Sequence, residues 1–143
     1  MSEPPCASVV IPCLNEVRHI GPCLDALDAQ TGLSGRLEVL VVDGGSDDGT
    51  RELLDSLQAE CMDLRVIDNP QRITPVAMNL GIDAALSEVI VILGAHAEVA
   101  LDFIRRNLDV LKAHPESGCV GGVVEQVHGC LLYTSPSPRD TLL

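Results

Sequence analysis

The chain has 143 residues, of which 46% are hydrophobic and 21% are charged, so it carries enough apolar sequence to build one packed domain. Its net charge of −12 arises from 21 acidic and 9 basic residues, and it has one Tyr, one Phe and no Trp. This composition excludes the basic, aromatic surfaces that nucleic-acid-binding proteins use, and we expect no nucleic-acid partner.

Apolar periodicity predicts strands that alternate with helices along the chain. Strands are expected at 7–12, 37–42, 64–67 and 89–93 and within 118–127, and helices at 20–30, 50–59, 73–84 and 101–111. Connections of this length are too long for hairpins, so the order predicts an α/β fold with a doubly wound, mainly parallel sheet. In such a sheet, ligands bind beyond the carboxyl ends of the strands.

The cysteines and the first residues indicate the cellular compartment. None of the 6 cysteines forms a C-x-x-C pair, and several lie in apolar runs, so we expect buried thiols in a reducing compartment. The start, MSEPPCAS, lacks the positive segment of a signal peptide. No apolar run approaches the ~20 residues that span a bilayer. The sequence therefore predicts a cytoplasmic protein.

The second predicted strand runs directly into acids and glycines, in the segment LEVLVVDGGSDDGT. One interpretation is structural: Ser46 or Asp48 caps the next helix, and the glycines form the turn. A cap needs only one such side chain, and the glycine spacing of a dinucleotide-binding loop is absent. Asp43, the first polar residue after the strand, is instead placed to accept hydrogen bonds from a base N–H or from ribose hydroxyls.

Four segments together resemble family 2 glycosyltransferases of the GT-A (Rossmann-like) fold, in particular those of the succinoglycan-biosynthesis type. They are SVVIPCLNE, VVDGGSDDGT, NPQRITPVAMNLGIDAAL and VIVILGAHAEV, and the similarity covers about residues 7–126. The resemblance implies a nucleotide-diphosphate sugar as the donor substrate and a glycan or lipid-linked acceptor. It also implies that the full-length protein associates with the inner face of the membrane.

The resemblance assigns the nucleotide side of the site to Pro12, Leu14, Asn15, Glu16, Asp43, Asp48 and Arg72. By this analogy the first loop lies against the base and ribose, and Asp43 binds the uracil or the ribose. Arg72 precedes a helix and would face the donor phosphates, and the alternative is that it is a solvated surface charge. Asn79 and Gly81 also match the helix pattern of the family, although Asn79 could be an ordinary polar position.

The metal-binding motif of the family, D-x-D, reads Gly94-Ala95-His96 in this chain. His96 stands in the position of the last ligand, and Glu98 follows two residues later, so both are predicted to hold a divalent metal, Mg²⁺ or Mn²⁺. The alternative is that His96 is a polar loop residue. The catalytic base of the family lies beyond this motif, and Glu125 falls in a predicted strand, so the sequence assigns no base.

The last 14 residues, CLLYTSPSPRDTLL, have no periodicity and resemble translated read-through of a sequencing adapter. The alternative is a Ser/Pro-rich linker. We therefore expect residues 1–129 to be the N-terminal nucleotide-sugar-binding part of a GT-A domain, truncated at its C-terminal side and inactive alone. Residues 130–143 are expected to be a non-native tail without secondary structure.

Two other functions fit parts of the sequence. A non-catalytic nucleotide-binding domain would explain the missing acid at Gly94. A sugar-phosphate nucleotidyltransferase has a similar architecture, but it would carry a Gly-rich loop after the first strand, where this chain has IPCLNE.

Overall fold

The computed structural model describes residues 3–60, 63–127 and 130–136. In chain order its elements are β1 (Ala7–Cys13), α1 (Ile20–Asp28), β2 (Leu37–Asp43), α2 (Thr50–Glu60), β3 (Leu64–Asp68), α3 (Thr74–Ala84), β4 (Ile90–Ile92), β5 (Ala97–Val99), α4 (Phe103–Ala113), β6 (Gly122–Val127) and β7 (Cys130–Pro136). The chain divides into two compact units, Met1–Gly21 with Ser34–Ala95 and Pro22–Leu33 with His96–Leu143. Each unit contains one sheet.

The sheet of the first unit is parallel throughout, with strand order β3-β2-β1-β4. Its two central strands are buried along nearly their whole length. Apolar residues on both faces produce this pattern when helices cover a parallel sheet. The prediction of a mainly parallel α/β sheet is therefore confirmed.

Helix α3 packs closely against the two central strands, β1 and β2. Pro75 lies in its first turn, where a missing N–H leaves no helical hydrogen bond unmade. A Cβ added to Gly81 would lie 2.3 Å from Cγ1 of the buried Val10. Gly81 therefore allows the helix to approach the sheet more closely than a larger residue would permit.

A buried carboxylate, Glu38, joins the strands at the edge where they begin. Its exposed fraction is 1%, and it accepts hydrogen bonds from Ser8 Oγ at 2.7 Å, Leu86 N at 2.9 Å and Arg65 Nη2 at 3.0 Å. Burial alone would raise the pKa of Glu38, but these hydrogen bonds and the charge of Arg65 outweigh burial and lower the pKa. Glu38 therefore connects β1, β2 and β3 to the segment after α3 as an ionised group.

In the second unit, β5 pairs in parallel with β7, and β6 pairs antiparallel with β7. Neither β5 nor β7 is predicted from the sequence. The expectation that the tail has no secondary structure is wrong for Cys130–Pro136, because backbone pairing forms a strand there despite the Ser/Pro composition. Residues 137–143 lie outside the described part of the chain, and the assignment of 130–143 as a non-native tail stays a prediction.

Four cysteines have described side chains, namely Cys6, Cys13, Cys23 and Cys119, and none of these four is in a disulfide. Cys13 and Cys23 are buried, as predicted, whereas Cys6 and Cys119 are only partly buried. In the part of the chain that the structure describes, no helix is both long enough and apolar enough to cross a bilayer.

Candidate functional site

Three strands of the first sheet end at the same level, which brings their following loops together. Cys13 at the end of β1 is in register with Asp43 at the end of β2, and Asp43 is in register with Asp68 at the end of β3. The N–H of Gly44 also donates to the Cys13 carbonyl at 2.9 Å. We call this set of strand ends and following loops the carboxyl edge of the first unit.

Asp43 is the most deeply buried acid at the carboxyl edge, with an exposed fraction of 2%. Its carboxylate accepts a hydrogen bond from the Ser46 hydroxyl at 2.5 Å and another from Ser46 N at 3.2 Å. Arg51 Nη1 lies 3.9 Å from Asp43 Oδ2. The carboxylate is thus fixed by its own loop and has a cation beside it, which suits a group that must present a defined acceptor to a ligand.

The loop after β1 is bonded to the loop after β2 in a reciprocal manner. Asn15 N donates to Ser46 Oγ at 2.8 Å, and Asp47 N donates to Asn15 Oδ1 at 2.9 Å. Asn15 has a φ of 53°, a left-handed conformation that Asn adopts more readily than most residues with a Cβ. The predicted site residue Asn15 therefore holds two loops together.

Asp48 acts as a helix cap and as a second connection between the same loops. Its carboxylate accepts hydrogen bonds from Thr50 N at 3.0 Å, from the Thr50 hydroxyl, and from Val17 N at 3.3 Å. The Thr50 hydroxyl also accepts a hydrogen bond from Glu16 N at 2.9 Å. The hydrogen bonds from Thr50 are the main cause of the lowered pKa of Asp48. These contacts support the capping interpretation, and direct contact of Asp48 with a nucleotide stays a prediction.

Arg72 lies at the same edge, beside the glycines that follow β2. A Cβ added to Gly44 would lie 3.5 Å from both Arg72 Cα and Leu14 Cδ1, and one added to Gly45 would lie 3.7 Å from Arg72 Nη1. Arg72 has a φ of 64°. Residues held in this region with a Cβ are concentrated at functional sites.

Arg51 and Arg72, which both lie at the carboxyl edge, differ in their ion pairs. Arg51 pairs with Asp68 and with Asp55, and its contact with Asp68 is the main cause of its raised pKa. Arg72 is exposed and forms no ion pair with any residue that the structure describes. The charge of Arg72 is therefore available to an anionic ligand at this edge.

Of the residues predicted for the nucleotide side, all lie in the first unit, at the carboxyl edge or in the two loops bonded there. Sequence reasoning did not identify the roles of Ser46 and Thr50 in joining the loops, or of Arg51 beside Asp43. For the hydroxyls of Ser46 and Thr50, the sequence indicated only that such side chains are suited to cap a helix. Their bonds to the first loop depend on two segments about 30 residues apart, which no local pattern reveals.

The two predicted metal ligands belong to the second unit. His96 and Glu98 are exposed and alternate with the buried residues Ala97 and Val99, so they lie on the same side of the β5 segment. Cys23 is buried, and burial together with the negative charge of Glu98 raises the pKa of its thiol to about 12. Cys23 is therefore a neutral thiol at neutral pH.

No group of three or more His, Cys, Asp or Glu residues is arranged to hold a metal ion within the described ranges. Two side chains on one face, an imidazole and a carboxylate, are compatible with Mg²⁺ or Mn²⁺ only if a ligand such as a diphosphate completes the coordination.

Residues 8–139 match the family model described as glycosyl transferase family 2. A relative in Methanococcus voltae, dolichyl N-acetyl-alpha-D-glucosaminyl phosphate 3-beta-D-2,3-diacetamido-2,3-dideoxy-beta-D-glucuronosyltransferase, is 30% identical over 126 residues, which cover 84% of this chain and 39% of the relative. The succinoglycan biosynthesis protein ExoA of Rhizobium meliloti is 38% identical over 101 residues, which cover 68% of this chain and 30% of the relative.

Among solved structures, the chain is similar to the mannosyltransferase PcManGT of Pyrobaculum calidifontis in complex with GDP-Man and Mn²⁺. The TM-score is 0.77 at 29% identity, and the match covers 87% of this chain and 37% of that protein. The chain thus spans well under half the length of each of these proteins.

Proposed function

Because the chain belongs to glycosyl transferase family 2 and has its GT-A fold, we propose that the first unit binds the nucleotide of a nucleotide-diphosphate-sugar donor. The observation that supports this most directly is the carboxyl edge itself. It combines a buried carboxylate, Asp43, with an exposed guanidinium, Arg72, that has no ion-pair partner in the described ranges. An acceptor for a base or ribose and a cation for phosphate are the two groups that a nucleoside diphosphate needs.

Each group has a distinct task in the proposed complex. The Asp43 carboxylate accepts a hydrogen bond from a base N–H or a ribose hydroxyl, and Ser46 and Arg51 keep it in place. The Arg72 guanidinium binds phosphate oxygens, for which its planar set of donors is well suited. Pro12, Leu14 and the rest of the first loop form the wall against the base.

In the second unit, His96 and Glu98 are proposed to hold Mg²⁺ or Mn²⁺. Such a metal, when bound, stabilises the charge that develops on the departing diphosphate. The Pyrobaculum calidifontis mannosyltransferase is in complex with both a nucleotide sugar and Mn²⁺, which is consistent with this proposal. The complete protein would transfer the sugar to a glycan or lipid-linked acceptor at the cytoplasmic face of a membrane. The dolichyl phosphate in the name of the Methanococcus voltae relative supports a lipid-linked acceptor.

Family membership favours a transferase over a sugar-phosphate nucleotidyltransferase. A non-catalytic nucleotide-binding domain remains as the second candidate, and Gly94 is the observation that favours it. Gly94 offers no carboxylate where the family has the first acid of its metal-binding motif. Donor hydrolysis by a version of the protein that spans the full length of its relatives would support the transferase. Tight donor binding without turnover by that version would support the second candidate.

Binding itself is tested with the 143-residue chain by isothermal titration calorimetry. UDP and GDP are each titrated with and without Mn²⁺, and a chain carrying Asp43→Asn serves as the comparison. We expect one of the two nucleotides to bind, with weaker binding to the variant. If neither nucleotide binds to folded protein, the proposed donor site is wrong.

A further inference from the structure

Asn69, immediately after β3, makes three hydrogen bonds that together determine the path of the chain toward Arg72. Its N–H donates to the Asp43 carbonyl at 2.8 Å, and its own carbonyl accepts from Arg72 N at 3.1 Å. Its side-chain Nδ2 donates to the Ile73 carbonyl at 3.0 Å. With an exposed fraction of 3%, Asn69 is as buried as a core residue. It therefore ties the segment that carries Arg72 to the end of β2.

The hydrogen bonds of Asn69 lie on both sides of Arg72, whose backbone conformation is unfavourable. Arg72 has a left-handed φ of 64°, in which its Cβ crowds the backbone. Asn69 binds the N–H of Arg72 on one side and the carbonyl of the next residue, Ile73, on the other. A conformation of this kind persists only when the surrounding structure fixes it. The bonds of Asn69 supply that constraint.

The side-chain oxygen of Asn69 indicates why this buried position holds an amide and not an apolar side chain. Its Oδ1 is buried and has no hydrogen-bond partner among the residues that the structure describes. A buried acceptor without a partner is unfavourable, and an apolar side chain would avoid that cost. The residue type is thus explained by the Nδ2 bond to Ile73, which an apolar residue could not make.

We infer that Asn69 is a positioning residue for nucleotide-diphosphate binding, which acts by holding the Arg72 guanidinium toward the donor phosphates. This inference rests on the proposed function, because it takes Arg72 as the phosphate-binding group. It assigns Asn69 no contact with the ligand. Loss of its Nδ2 bond should therefore weaken only the part of the affinity that the phosphates contribute.

The test compares a nucleoside diphosphate with its nucleoside in the 143-residue chain. UDP and uridine, and GDP and guanosine, are titrated calorimetrically into the unsubstituted chain and into Asn69→Ala. We expect the diphosphate of the preferred base to bind roughly tenfold more weakly to the variant, the effect of losing one charge-assisted contact, with nucleoside affinity unchanged. Equal losses for diphosphate and nucleoside would show a merely structural role and overturn the inference.

Asn107→Ala is the matched control, because Asn107 is also buried and its Nδ2 also donates to a backbone carbonyl four residues away, that of Phe103 at 2.8 Å. It lies in α4 of the second unit and should leave the ratio of diphosphate to nucleoside affinity unchanged. Asn69→Ser, which keeps a polar group of smaller size, provides a second variant if Asn69→Ala does not fold. It should show the same selective loss, since a serine hydroxyl is too short to replace the amide.

A double substitution separates this inference from the proposed function. If Asn69 acts through Arg72, adding Asn69→Ala to Arg72→Ala should weaken UDP or GDP binding no further. Additive losses would overturn the inference and leave the donor site intact. If Arg72→Ala alone does not weaken diphosphate binding, the phosphate role of Arg72 fails and the inference fails with it.

Discussion

The Ser46 hydroxyl donates a hydrogen bond to Oδ1 of Asp43 at 2.5 Å. A hydroxyl has one hydrogen, and in this bond it is directed at the carboxylate, so Asp43 is held as an acceptor. The same hydroxyl oxygen receives the N–H of Asn15 at 2.8 Å. The position of Asp43 therefore depends on both loops, and its carboxylate can serve a ligand without first being reoriented.

Asp43→Asn should weaken binding of the preferred nucleotide by ~1–3 kcal/mol, because an amide NH₂ would meet the donor groups of the base or ribose. The amide oxygen can still accept from Ser46, so the melting temperature should change little. Calorimetric titration measures the affinity. Asp47→Asn is the control, since Asp47 is exposed and takes part in the loop contact through its backbone N–H. Equal affinity of the Asp43→Asn and unsubstituted chains would remove Asp43 from the site.

Mn²⁺ should enhance binding of the nucleoside diphosphate, and His96→Ala should reduce that enhancement at least about tenfold, the effect of removing one of two protein ligands. Glu98→Gln should act in the same direction. The spectrum of free Mn²⁺ in electron paramagnetic resonance measures metal binding directly. His114→Ala is the matched control, because His114 is a half-buried histidine just after α4 whose ring pairs with Glu116. If all three variants behave alike, the metal has other ligands.

The free energy of unfolding should depend on pH through Glu38. The pKa of Glu38 is lowered in the folded chain, so its contribution is fully present above the ordinary glutamate pKa of ~4.3. That contribution should be lost progressively as the pH falls below this value and through the lower, folded-state pKa. Glu38→Gln should cost about 1–3 kcal/mol at neutral pH and flatten this dependence.

Urea titrations at a series of acidic pH values measure the effect. Glu88→Gln, which changes an exposed acid, should keep the slope of the unsubstituted chain. A Glu38→Gln variant with an undiminished slope would mean that other carboxylates cause the acid sensitivity.

Gly81→Ala should destabilise the chain by about 1–3 kcal/mol, because its Cβ would overlap Val10 in a packed core. The cost should be smaller when Val10 is first replaced by Ala, since the overlapping methyl groups are then absent. Thermal or urea unfolding of the two single variants and the double variant measures this coupling. Gly118→Ala is the control, because nothing lies within 4 Å of a Cβ added there. Additive effects of the Val10 and Gly81 substitutions would contradict the close-packing explanation.

The first sheet could be predicted from the sequence because its strands and helices carry strong periodic signals. β5 was missed because its 3 residues, AEV, lack the apolar run that marks the equally short β4. β7 was missed because pairing with β5 and β6 overrides a composition typical of loops.

The position of Asp43 at the carboxyl edge could be predicted because the acid comes directly after an apolar run. Its support could not be predicted, because the contacts of Ser46, Thr50 and Asn69 join segments distant in sequence. A hydrogen bond between loops depends on how the strands align, and residue identity alone does not give that alignment.

The hydrogen bonds between the first two loops also determine how fast backbone amide protons at the carboxyl edge exchange with solvent. Three consecutive amides, those of Asn15, Glu16 and Val17, all donate to side chains of the loop after β2 or of the first residue of α2, at 2.8, 2.9 and 3.3 Å. Each of these amides stays hydrogen-bonded as long as the other two bonds keep the loops together. Deuterium should therefore replace all three amide protons at a similar rate. Protection from exchange at these positions therefore reports separation of the two loops, with or without a bound nucleotide.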